Sequence, residues 1–546
     1  MAKLKRTKFI FVAGGVLSGV GKGVTSASLG AIFKSKGFSV TALKIDPYIN
    51  IDAGTMNPTE HGEVFVLDDG DETDQDMGNY ERFLDTDLSS ANYMTTGRVY
   101  LSVIQAERAM KYKGKNVEVV PDIPREVIRR IEEAAKRAEA EIVITEIGGT
   151  VGEYQNILFL EAVREMKLRA PKDIAVVLVS YLPIPSHLGE MKTKPTQHAQ
   201  RQLNSAGLHA DMIIARGSTT LDEVRKQKLA MLCGVPKEYS ISAPDVESIY
   251  EIPLKLEEQN TGNKLLKVLE LKPKASNLAK WKHFVHSIAH PFKEVRIAVV
   301  GKYFGTGKFT LADSYISVIE SVKHASWHYG AKPVLDWIDS EEFEKNPKKL
   351  KELKAYDGII VPGGFGHRGV EGIILAINFA RTENIPYFGL CYGMQLACVE
   401  FARNVLGKKG ANTVEMDPKT PYPIIIVNPY QERNIQQNRY GGTMRLGAYH
   451  CAIKKGSKAH KAYKKDHISE RHRHRYEFNN EYRDEMAKAG MEVAGVNPES
   501  DLVEIVELRD HPFFLGTQFH PEFKTKPMRP HPLFQAFVGA ALKSKT

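Results

Sequence analysis

One pattern in the sequence constrains the fold more than any other: a short apolar run, then a glycine-rich turn, then a helical segment. The clearest copies are residues 9–12 before the turn at 14–23, and residues 386–390 at the turn that holds Gly389 and Gly393. Apolar strands that alternate with helices build mostly parallel sheets whose faces those helices cover. The sequence therefore predicts the α/β class, with a mostly parallel sheet flanked by helices in each part of the chain.

The pattern stops and restarts near the middle of the chain, and this indicates two domains. A chain of 546 residues has room for two to four domains of ordinary size. Residues 271–294 are charged, contain Pro273 and Pro291, and favour a connector with one helix. We expect a first domain over 1–272, a linker over 273–294 and a second domain over 295–546. The expected strands are 9–12, 40–45, 142–147, 175–180, 212–215, 296–300, 358–361, 386–390 and two late strands that end near residue 519.

Composition narrows the class of protein. The chain has 75 Lys and Arg against 66 Asp and Glu, a net charge of +9 that suits small anionic substrates such as nucleotides about as well as nucleic acid. Its four cysteines have no metal-ligand spacing, and so few cysteines in a chain of this size are typical of a reduced, cytoplasmic protein. No apolar run is long enough to span a bilayer, so we expect no membrane segment. The basic and apolar start imitates a signal peptide but leads directly into the glycine-rich run.

The glycine-rich run at 14–23 is a candidate phosphate loop. Backbone N–H groups at the start of a helix attract phosphate, and Lys22 would reach the terminal phosphates. The match to a Walker A motif is imperfect, because Val16 stands where a glycine is needed and Gly23 replaces the Ser or Thr that contacts Mg²⁺. Taken alone, the run fits a nucleotide loop and an ordinary glycine turn equally well.

Two further features favour the nucleotide loop. Lys44 and Asp46 lie at the end of the second expected strand, where open α/β sheets bind ligands. An acidic cluster at 68–76 and Glu146, at the tip of another strand, supply the oxygen ligands that Mg²⁺ shares with phosphates. The acidic cluster by itself would be a solvated loop, but Glu146 is followed by Gly148 and Gly149.

The second half carries a candidate nucleophile, Cys391, between Gly389 and Gly393. Glycines on both sides permit the strained turn that lifts a nucleophile clear of a sheet, and the helix behind it favours the thiolate. His520 would be the base, oriented by Glu522 on the same face of an extended segment. The glycine-rich loop at 361–366 could offer backbone N–H groups to an oxyanion, or be only a tight turn. Together these features indicate acyl transfer through a thioester.

At this point the chain resembles a known family, the CTP synthases, over essentially its whole length. The resemblance implies a P-loop-like Rossmann amidoligase domain followed by a flavodoxin-like class I glutamine amidotransferase domain. It implies ATP-dependent amination of UTP to CTP through a 4-phosphorylated UTP, with ammonia from L-glutamine, as the final step of de novo CTP synthesis. The segments that carry it are GGVLSGVGKG (14–23), KIDPYIN (44–50), HGEVFV (61–66), EIGGTVG (146–152), KTKPTQH (192–198), PGGFG (362–366), CYGMQ (391–395), GGTMRLG (441–447), RHRHRYE (471–477) and QFHPEF (518–523).

The resemblance also implies roles for individual residues. It assigns the catalytic residues Cys391, His520 and Glu522, and the Mg²⁺ ligands Asp76 and Glu146. The implied ATP contacts are Ser18, Gly19, Gly21, Lys22, Gly23, Lys44 and Asp245; the UTP and CTP contacts are Lys192, Lys194, Gln197 and Lys228; the glutamine contacts are Gly364, Gln395, Glu415 and Arg475. Without the resemblance, the lysines of 192–198 would be a solvated basic loop. The family further implies GTP as an allosteric activator near GGTMRLG, CTP as a feedback inhibitor, and a homotetramer in the cytoplasm.

Two positions depart from the family pattern. Gln155 stands where a carboxylate is usual, which puts contacts to the pyrimidine-nucleotide ribose and CTP feedback in doubt, whereas Tyr392 in place of Leu looks harmless. Two other classes of function stay open on the sequence alone. One is a non-enzymatic scaffold related to partitioning ATPases; the other is an amidotransferase that makes guanine nucleotides or amidated corrinoids. The RHRHRYE run could also be a nucleic-acid patch, although only Tyr476 interleaves it and we expect no nucleic-acid partner.

Overall fold

The computed structural model describes residues 7–187, 189–275, 277–302, 305–306, 309–310, 312–428, 431 and 442–544. These residues form two compact units. The first contains the chain up to Asp52 and from Asp76 to Val285, and the second contains Ala53–Gln75 and the chain from His286 onward. The sequence offered no sign that 53–75 belongs with the second unit, because the segment lies between strands and helices of the first.

The first unit is built on a seven-stranded sheet in which every neighbouring pair is parallel. Its central strands are buried along nearly their whole length, because helices cover both faces. The five strands predicted for this half are all present, and short strands at the two edges were not predicted. In spatial order the strands are Tyr93–Thr95, Val40–Asp46, Ile142–Ile147, Lys8–Gly15, Ile174–Tyr181, Met212–Gly217 and Ser240–Pro244.

Helices of the first unit follow the strands, as the alternating pattern predicts. The first begins at Lys22, directly after Gly21 in the left-handed conformation (φ 89°), so its N-terminus opens at the carboxyl edge of the sheet. The helices are Lys22–Ser35, Asp76–Leu84, Thr96–Arg108, Val119–Arg137, Ile157–Arg169, Lys194–Ser205, Glu223–Cys233, Ile252–Glu257 and Thr261–Val268, with short 3-10 turns at Ser90–Asn92, Tyr154–Asn156, Lys237–Tyr239 and Ile249–Glu251.

A nine-stranded mixed sheet forms the centre of the second unit. Five neighbouring strands at one side are parallel, and the remaining pairs are antiparallel. The parallel part carries the predicted strands 296–300, 358–361 and 386–390, the last of which leads to Cys391, and one late strand, Phe514–Thr517. The other late strand, Val503–Leu508, lies in the antiparallel part. In spatial order the strands are Ala331–Asp339, Lys293–Gly301, Gly358–Val361, Tyr387–Leu390, Phe514–Thr517, Val503–Leu508, Met491–Val496, Arg445–Ile453 and His467–His474.

Smaller elements complete the second unit. The strands of the small sheets are Ala411–Thr413, Tyr422–Val427, Tyr476–Phe478, Val64–Val66, Glu72–Asp74, Gly305–Thr306 and Phe309–Thr310. The helices are Pro58–His61, Ile316–His328, Glu341–Lys345, Val370–Thr382, Tyr392–Asn404, Lys458–Tyr463, Arg483–Lys488 and Pro532–Ala541, with 3-10 turns at Ala312–Tyr315, Pro347–Ala355, Asn480–Tyr482 and Pro521–Lys524. The basic stretch 455–467 holds the short helix Lys458–Tyr463.

The segment 273–294 contains the one helix that its sequence predicts, Ala279–Ala289. The helix is anchored in the first unit, since Trp281 is buried and its indole N–H donates to the carbonyl of Tyr250 (2.7 Å). Part of the predicted linker is therefore packed structure, and the functional bounds 1–272 and 295–546 stay a prediction. Among the described residues, no helix has the length and apolar character to cross a bilayer. Two α/β units with parallel strands flanked by helices confirm the predicted fold class.

Candidate active sites

Cys391 sits at a strained turn in the second unit. It lies between the strand Tyr387–Leu390 and the helix Tyr392–Asn404, with φ 49° and ψ −96°, a conformation that few non-glycine residues adopt. Its backbone N–H donates to the carbonyl of Thr517 (2.6 Å), which fixes the turn. A Cβ on Gly393 would lie 2.3 Å from the carbonyl oxygen of Val361, so only glycine fits at this position, two residues after the cysteine. This is the elbow geometry that the glycine spacing predicts.

His520 and Glu522 are paired beside Cys391. Nδ1 of His520 lies 2.7 Å from Oε1 of Glu522, and both side chains are buried. Burial opposes the charge on His520, but the Glu522 carboxylate and the Cys391 sulfur outweigh it and raise the pKa of His520 to about 10. Nε2 of His520 has no hydrogen-bond partner among the described residues, so it is available for proton exchange.

A glycine loop closes around these side chains. A Cβ built on Gly363 would lie 2.9 Å from Cε1 of His520 and 3.9 Å from Cβ of Cys391, so the backbone touches both. The peptide groups of Gly366, further along the loop, are held by side chains. Its N–H donates to Glu415 (3.0 Å), and its carbonyl accepts from Lys302 (2.5 Å) and from the hydroxyl of Tyr392 (3.1 Å).

Tyr392 and Lys302 thus take part in the site, and the sequence pointed to neither. Tyr392 was expected to be a neutral replacement for Leu, yet its hydroxyl makes a hydrogen bond that Leu cannot make. Lys302 is buried, lies over the Tyr392 ring (4.7 Å to the centroid), and burial lowers its pKa to about 8 against the opposing charge of Glu415. The elbow motif contained Tyr392, but no sequence signal connected Lys302 with it.

A cavity of about 950 Å³ in the second unit brings the predicted glutaminase residues together. One wall comes from residues 54–64, which belong to the segment Ala53–Gln75 of this unit. Predicted residues that line the cavity are Gly364, Cys391, Gln395, Glu415, Arg475, His520 and Glu522. The volume suits a small polar metabolite.

The predicted glutamine-binding residues present both kinds of polar group to this cavity. The amide nitrogen of Gln395 donates to the carbonyl of Tyr476 (3.1 Å), which leaves its Oε1 as an acceptor. Glu415 offers a carboxylate, and Arg475 offers a guanidinium that is steadied by Gln431 (3.2 Å) and Thr443 (3.1 Å). An ammonium group and a carboxylate, the α-groups of an amino acid, would both find partners here.

The RHRHRYE run is not a surface patch. It forms the strand His467–His474 and continues into Tyr476–Phe478, and Arg471 and His472 are fully buried. A buried strand cannot present a basic face to a phosphate backbone, so the nucleic-acid reading of this run is wrong. Of the segment GGTMRLG, Gly441 lies outside the described residues, and Arg445–Ile453 is a strand.

The first unit carries a cluster of charged side chains at the carboxyl edge of its sheet, of which Lys44, Asp46 and Glu146 are buried and Asp76 is half-buried. Nζ of Lys44 lies 2.6 Å from Oδ2 of Asp76, 2.9 Å from Oε1 of Glu146 and 3.7 Å from Oδ1 of Asp46. Burial raises the pKa of Glu146, whereas for Asp76 the pairing with Lys44 outweighs burial and lowers the pKa. The hydroxyl of Tyr80 donates to the other oxygen of Glu146.

The geometry explains why Gly23 replaces the usual Ser or Thr of a phosphate loop. A Cβ on Gly23 would lie 2.0 Å from Oδ1 of Asp76, so any side chain there would displace this carboxylate. Lys22, the next residue back, is buried and donates to the carbonyl of Gly149 (2.8 Å), and burial lowers its pKa. The loop is therefore shaped around Asp76.

Asp245 is connected to the glycine loop by an arginine that the sequence did not single out. Arg216, at the end of the strand Met212–Gly217, donates to Asp245 (3.0 Å). Its Nε lies 3.5 Å from the position of a Cβ on Gly21. Ser18 and Gly19, the other predicted ATP contacts, are exposed at the tip of the same loop.

The four predicted UTP contacts are less closely grouped. Lys192 pairs with Glu190 (2.8 Å), and the amide of Gln197 donates to Thr193 (3.0 Å). Lys194 begins the helix Lys194–Ser205 and is exposed, as is Lys228 on the helix Glu223–Cys233. No hydrogen bond or ion pair joins these four side chains to one another in the part of the chain that the structure describes.

The residues of the first unit fit a magnesium ion that is shared with phosphates. Asp76 and Glu146 bring carboxylate oxygens from a helix and a strand to one point, where both accept from Lys44. Among the described residues, no group of three or more His, Cys, Asp and Glu side chains is arranged to hold a metal unaided. Two carboxylates with the remaining positions left to phosphate and water is the donor set that Mg²⁺ takes in nucleotide enzymes.

Comparison with known proteins first defines the class of protein. A class-I glutamine amidotransferase family model matches residues 310–540, and a model of the CTP synthase N-terminus matches residues 8–271. The glutaminase domain of Trypanosoma brucei CTPS, solved with bound acivicin, is 39% identical with a TM-score of 0.42, over 46% of this chain and 94% of that one. The two family models together show that the chain joins a synthetase part to a glutamine amidotransferase part.

Full-length relatives then define the family. A CTP synthase of Pyrococcus furiosus is 50% identical over 541 residues, which cover 99% of this chain and 98% of the relative. A CTP synthase of Caldanaerobacter subterraneus subsp. tengcongensis is 48% identical over 540 residues, 98% of this chain and 99% of that protein. The chain belongs to the CTP synthase family, as the resemblance predicted.

Family membership settles the class of reaction. The chain is a ligase that makes CTP from UTP with glutamine as nitrogen donor and ATP as co-substrate. The non-enzymatic scaffold and the amidotransferase of another pathway are thereby excluded.

Proposed function

We propose that the second unit releases ammonia from glutamine through a thioester on Cys391. The observation that carries this proposal is the cavity at which Cys391, His520 and Glu522 meet, with the nucleophile on a strained elbow and the base held by a carboxylate. Gln395, Glu415 and Arg475 hold the α-ammonium and α-carboxylate groups of the substrate. Their complementary charges around the cavity support this assignment.

The chemistry follows from the order of the groups. The Cys391 thiolate attacks the side-chain carbonyl carbon of glutamine, and a carbon–sulfur bond forms while the carbonyl oxygen takes up negative charge. Backbone N–H groups of the glycine loop at 361–366 would stabilise this oxygen. The intermediate collapses as the carbon–nitrogen bond breaks, and Nε2 of protonated His520 gives its proton to the leaving nitrogen, so ammonia departs. Neutral His520 then takes a proton from water, whose oxygen attacks the thioester and regenerates the thiolate and glutamate.

The first unit activates UTP. The 4-oxygen of uracil is a poor leaving group, so ATP phosphorylates it before ammonia attacks the ring carbon and phosphate departs. Lys22 and Lys44 stabilise the transferring phosphoryl group, and Ser18, Gly19, Gly21 and Gly23 shape the loop that holds the phosphates of ATP. Asp76 and Glu146 would hold Mg²⁺, which neutralises phosphate charge when bound. Asp245, which accepts a hydrogen bond from Arg216, would contact the adenine end of ATP.

The remaining assignments come with family membership and have weaker local support. Lys192, Lys194, Gln197 and Lys228 contact the UTP triphosphate and base, and CTP competes there as a feedback inhibitor. GTP activates ammonia release. A homotetramer is supported by apolar side chains exposed on two helices of the first unit, including Ile104 (54%) and Val119 (52%). The four cysteines form no disulfide, which fits a reducing compartment such as the cytoplasm.

The test measures each half of the reaction separately. With ammonia as nitrogen source, UTP should stimulate ATP hydrolysis and CTP should appear in equal amount, whereas xanthosine monophosphate should do neither. A thiol-reactive glutamine analogue should label Cys391 and stop only the glutamine-dependent reaction. ATP hydrolysis that ignores UTP, or labelling of a different cysteine, would overturn the assignments.

A further inference from the structure

Gln518 is a buried side chain beside the nucleophile with no role in the mechanism above. It follows the strand Phe514–Thr517, precedes His520 by two residues, and is fully buried. Its backbone N–H donates to the carbonyl of Glu504 (2.8 Å), which fixes the chain at this point. Its side-chain amide nitrogen lies 3.6 Å from Sγ of Cys391.

The orientation of this amide follows from a chain of hydrogen bonds that starts at a backbone carbonyl. The oxygen of Tyr476 can only accept, so Gln395 must turn its amide nitrogen toward it (3.1 Å). The same nitrogen donates to Oε1 of Gln518 (3.3 Å). Gln518 must therefore direct its own nitrogen at the sulfur, because a flipped amide would bring two donors together.

We propose that Gln518 is a catalytic residue of the glutaminase centre, which donates a hydrogen bond to Sγ of Cys391 and stabilises the thiolate. This inference rests on the proposed role of Cys391 as nucleophile. An N–H donor strengthens its bond as the sulfur becomes negative, and a buried setting enhances the effect.

The Gln518 amide can stabilise the thiolate in a way that His520 cannot. His520 gives its proton to the leaving nitrogen, and then takes one from the attacking water, so its charge changes during each turnover. The amide of Gln518 carries no exchangeable charge and stays bonded throughout. It therefore stabilises the thiolate both before attack and when the thioester breaks and the sulfur departs.

Gln518 also connects the nucleophile with a substrate contact. Its Oε1 accepts from Gln395, whose own Oε1 is left for the α-ammonium group of glutamine. Loss of Gln518 should therefore reduce kcat, through the thiolate, more than it raises KM, through Gln395. For a residue that only filled space, we would expect no such difference between the effects on kcat and on KM.

The experiment compares the full-length protein with Gln518→Glu, which keeps the size of the side chain but replaces the donor with an oxygen. Cys391 is alkylated with iodoacetamide over a range of pH, and the labelled peptide is quantified by mass spectrometry. All four cysteines are buried, but Cys391 lines the cavity, through which the reagent can reach it. Burial raises the pKa of Cys233 to about 11 and those of Cys398 and Cys451 higher still, so these three contribute little near neutral pH.

We expect the pH midpoint of Cys391 alkylation to rise by about one unit in Gln518→Glu, and kcat for glutamine hydrolysis to fall about tenfold or more. Ammonia-dependent CTP formation should not change. The matched control is Gln535→Glu, since Gln535 is half-buried in the same unit and its amide donates to the carbonyl of Pro530 (2.6 Å), away from the cavity. That variant should behave as the parent in both assays.

A pH midpoint of Cys391 alkylation that is the same in Gln518→Glu and the parent would overturn the proposal, whatever happens to activity. Gln518 would then have only a structural role. Gln518→Glu also brings a carboxylate, whose negative charge would by itself raise the pH midpoint of the thiol, so the neutral variant Gln518→Asn is measured beside it, and alone where Gln518→Glu does not fold, as reported by loss of ammonia-dependent synthesis. The shorter amide cannot reach the sulfur, so the pH midpoint should rise in Gln518→Asn as well. A midpoint that is unchanged in Gln518→Asn would overturn the proposal. Retention of glutamine hydrolysis by Cys391→Ala would instead refute the nucleophile, a failure of the proposed function that is distinct from this one.

Discussion

The two candidate sites hold their charges in opposite ways. In the second unit the reactive groups are ready: His520 is bonded to Glu522, its Nε2 is unbonded among the described residues, and an open cavity lies in front of Cys391. In the first unit, the lysine side chains already bond to other groups of the protein. Lys44 bonds Asp76 and Glu146, and Lys22 bonds a backbone carbonyl.

This difference follows from what each site must bind. Glutamine brings almost no net charge, so a glutaminase site can be preorganised without a large electrostatic cost. A nucleotide triphosphate brings several negative charges, and empty lysines facing one another would be unstable until it arrives. We therefore expect the first site to exchange internal partners for phosphate and Mg²⁺, and the second to change little when glutamine binds.

The variant with the largest expected effect disrupts only the preorganised glutaminase site of the second unit. Cys391→Ala removes the nucleophile, so glutamine-dependent CTP formation should fall about a thousandfold or more. Ammonia bypasses the thioester, and ammonia-dependent CTP formation should stay within about twofold of the parent. Both rates are measured by chromatography of the nucleotide products. Loss of both activities in a folded variant would contradict the assignment of separate sites.

The variant with the next largest effect disrupts only the nucleotide site of the first unit, whose lysines must exchange partners when the ligand binds. Lys22→Ala should reduce CTP formation about a hundredfold or more from either nitrogen source, because the transferring phosphoryl group loses a buried cation. Glutamine hydrolysis should be retained at least in part, and the release of glutamate measures it. Normal ammonia-dependent synthesis in this variant would show that the phosphate loop has been placed at the wrong lysine.

A pH experiment sharpens the comparison within the preorganised site. The pKa of His520 is raised to about 10, so its protonation stabilises the folded state fully below its ordinary pKa near 6.5 and loses this effect as the pH approaches 10. Glu522→Gln removes an anion from the pair, which lowers the pKa of His520. The alkaline limit of glutamine hydrolysis should then move down by about one pH unit or more.

The control for this variant is the other site. The ratio of ammonia-dependent rates, variant to parent, should stay constant over the same pH range, since Glu522 has no part in UTP activation. An alkaline limit that is the same in both proteins would mean that Glu522 does not set the charge of His520.

Sequence reasoning worked where a site is encoded in local spacing. The elbow at Cys391 and the pair His520 and Glu522 each lie within a few residues, and strand and glycine patterns place them at strand ends. It failed where contacts join distant parts of the chain. No residue near Gly23 in the sequence indicates that Asp76 occupies the space where a side chain would lie. No residue near Cys391 in the sequence indicates that the amide of Gln518 contacts its sulfur.

The same limit explains the segment Ala53–Gln75. Its sequence order lies within the first unit, but its acidic residues pair with the second: Glu72 with Arg473 (2.8 Å) and Asp68 with Arg471 (2.5 Å). Such residues were assigned to a solvated or metal-binding loop, because a carboxylate shows no preference for its partner in the sequence. Only the fold brings these partners together.

The smallest expected effect concerns a position of the first unit where the family pattern is broken. Gln155 is exposed in the short turn Tyr154–Asn156, beside the glycine-rich segment at 148–152. A carboxylate there would accept charge-assisted hydrogen bonds from ribose hydroxyls, which are roughly twice as strong as those to a neutral amide. The replacement should therefore weaken the nucleotide that depends on it by about 1 kcal/mol, or several-fold in affinity.

We propose that CTP shares the triphosphate subsite of UTP but places its sugar and base elsewhere, so this loss should fall on CTP more than on UTP. Gln155→Glu should lower the CTP inhibition constant several-fold and leave the UTP Michaelis constant nearly unchanged, as measured by ammonia-dependent synthesis at several CTP concentrations. Gln155→Asn, which stays neutral, is the control and should leave inhibition weak. Equal inhibition in all three proteins would remove Gln155 from the nucleotide site, and the ligand-dependent site would then rest on its buried lysines and carboxylates alone.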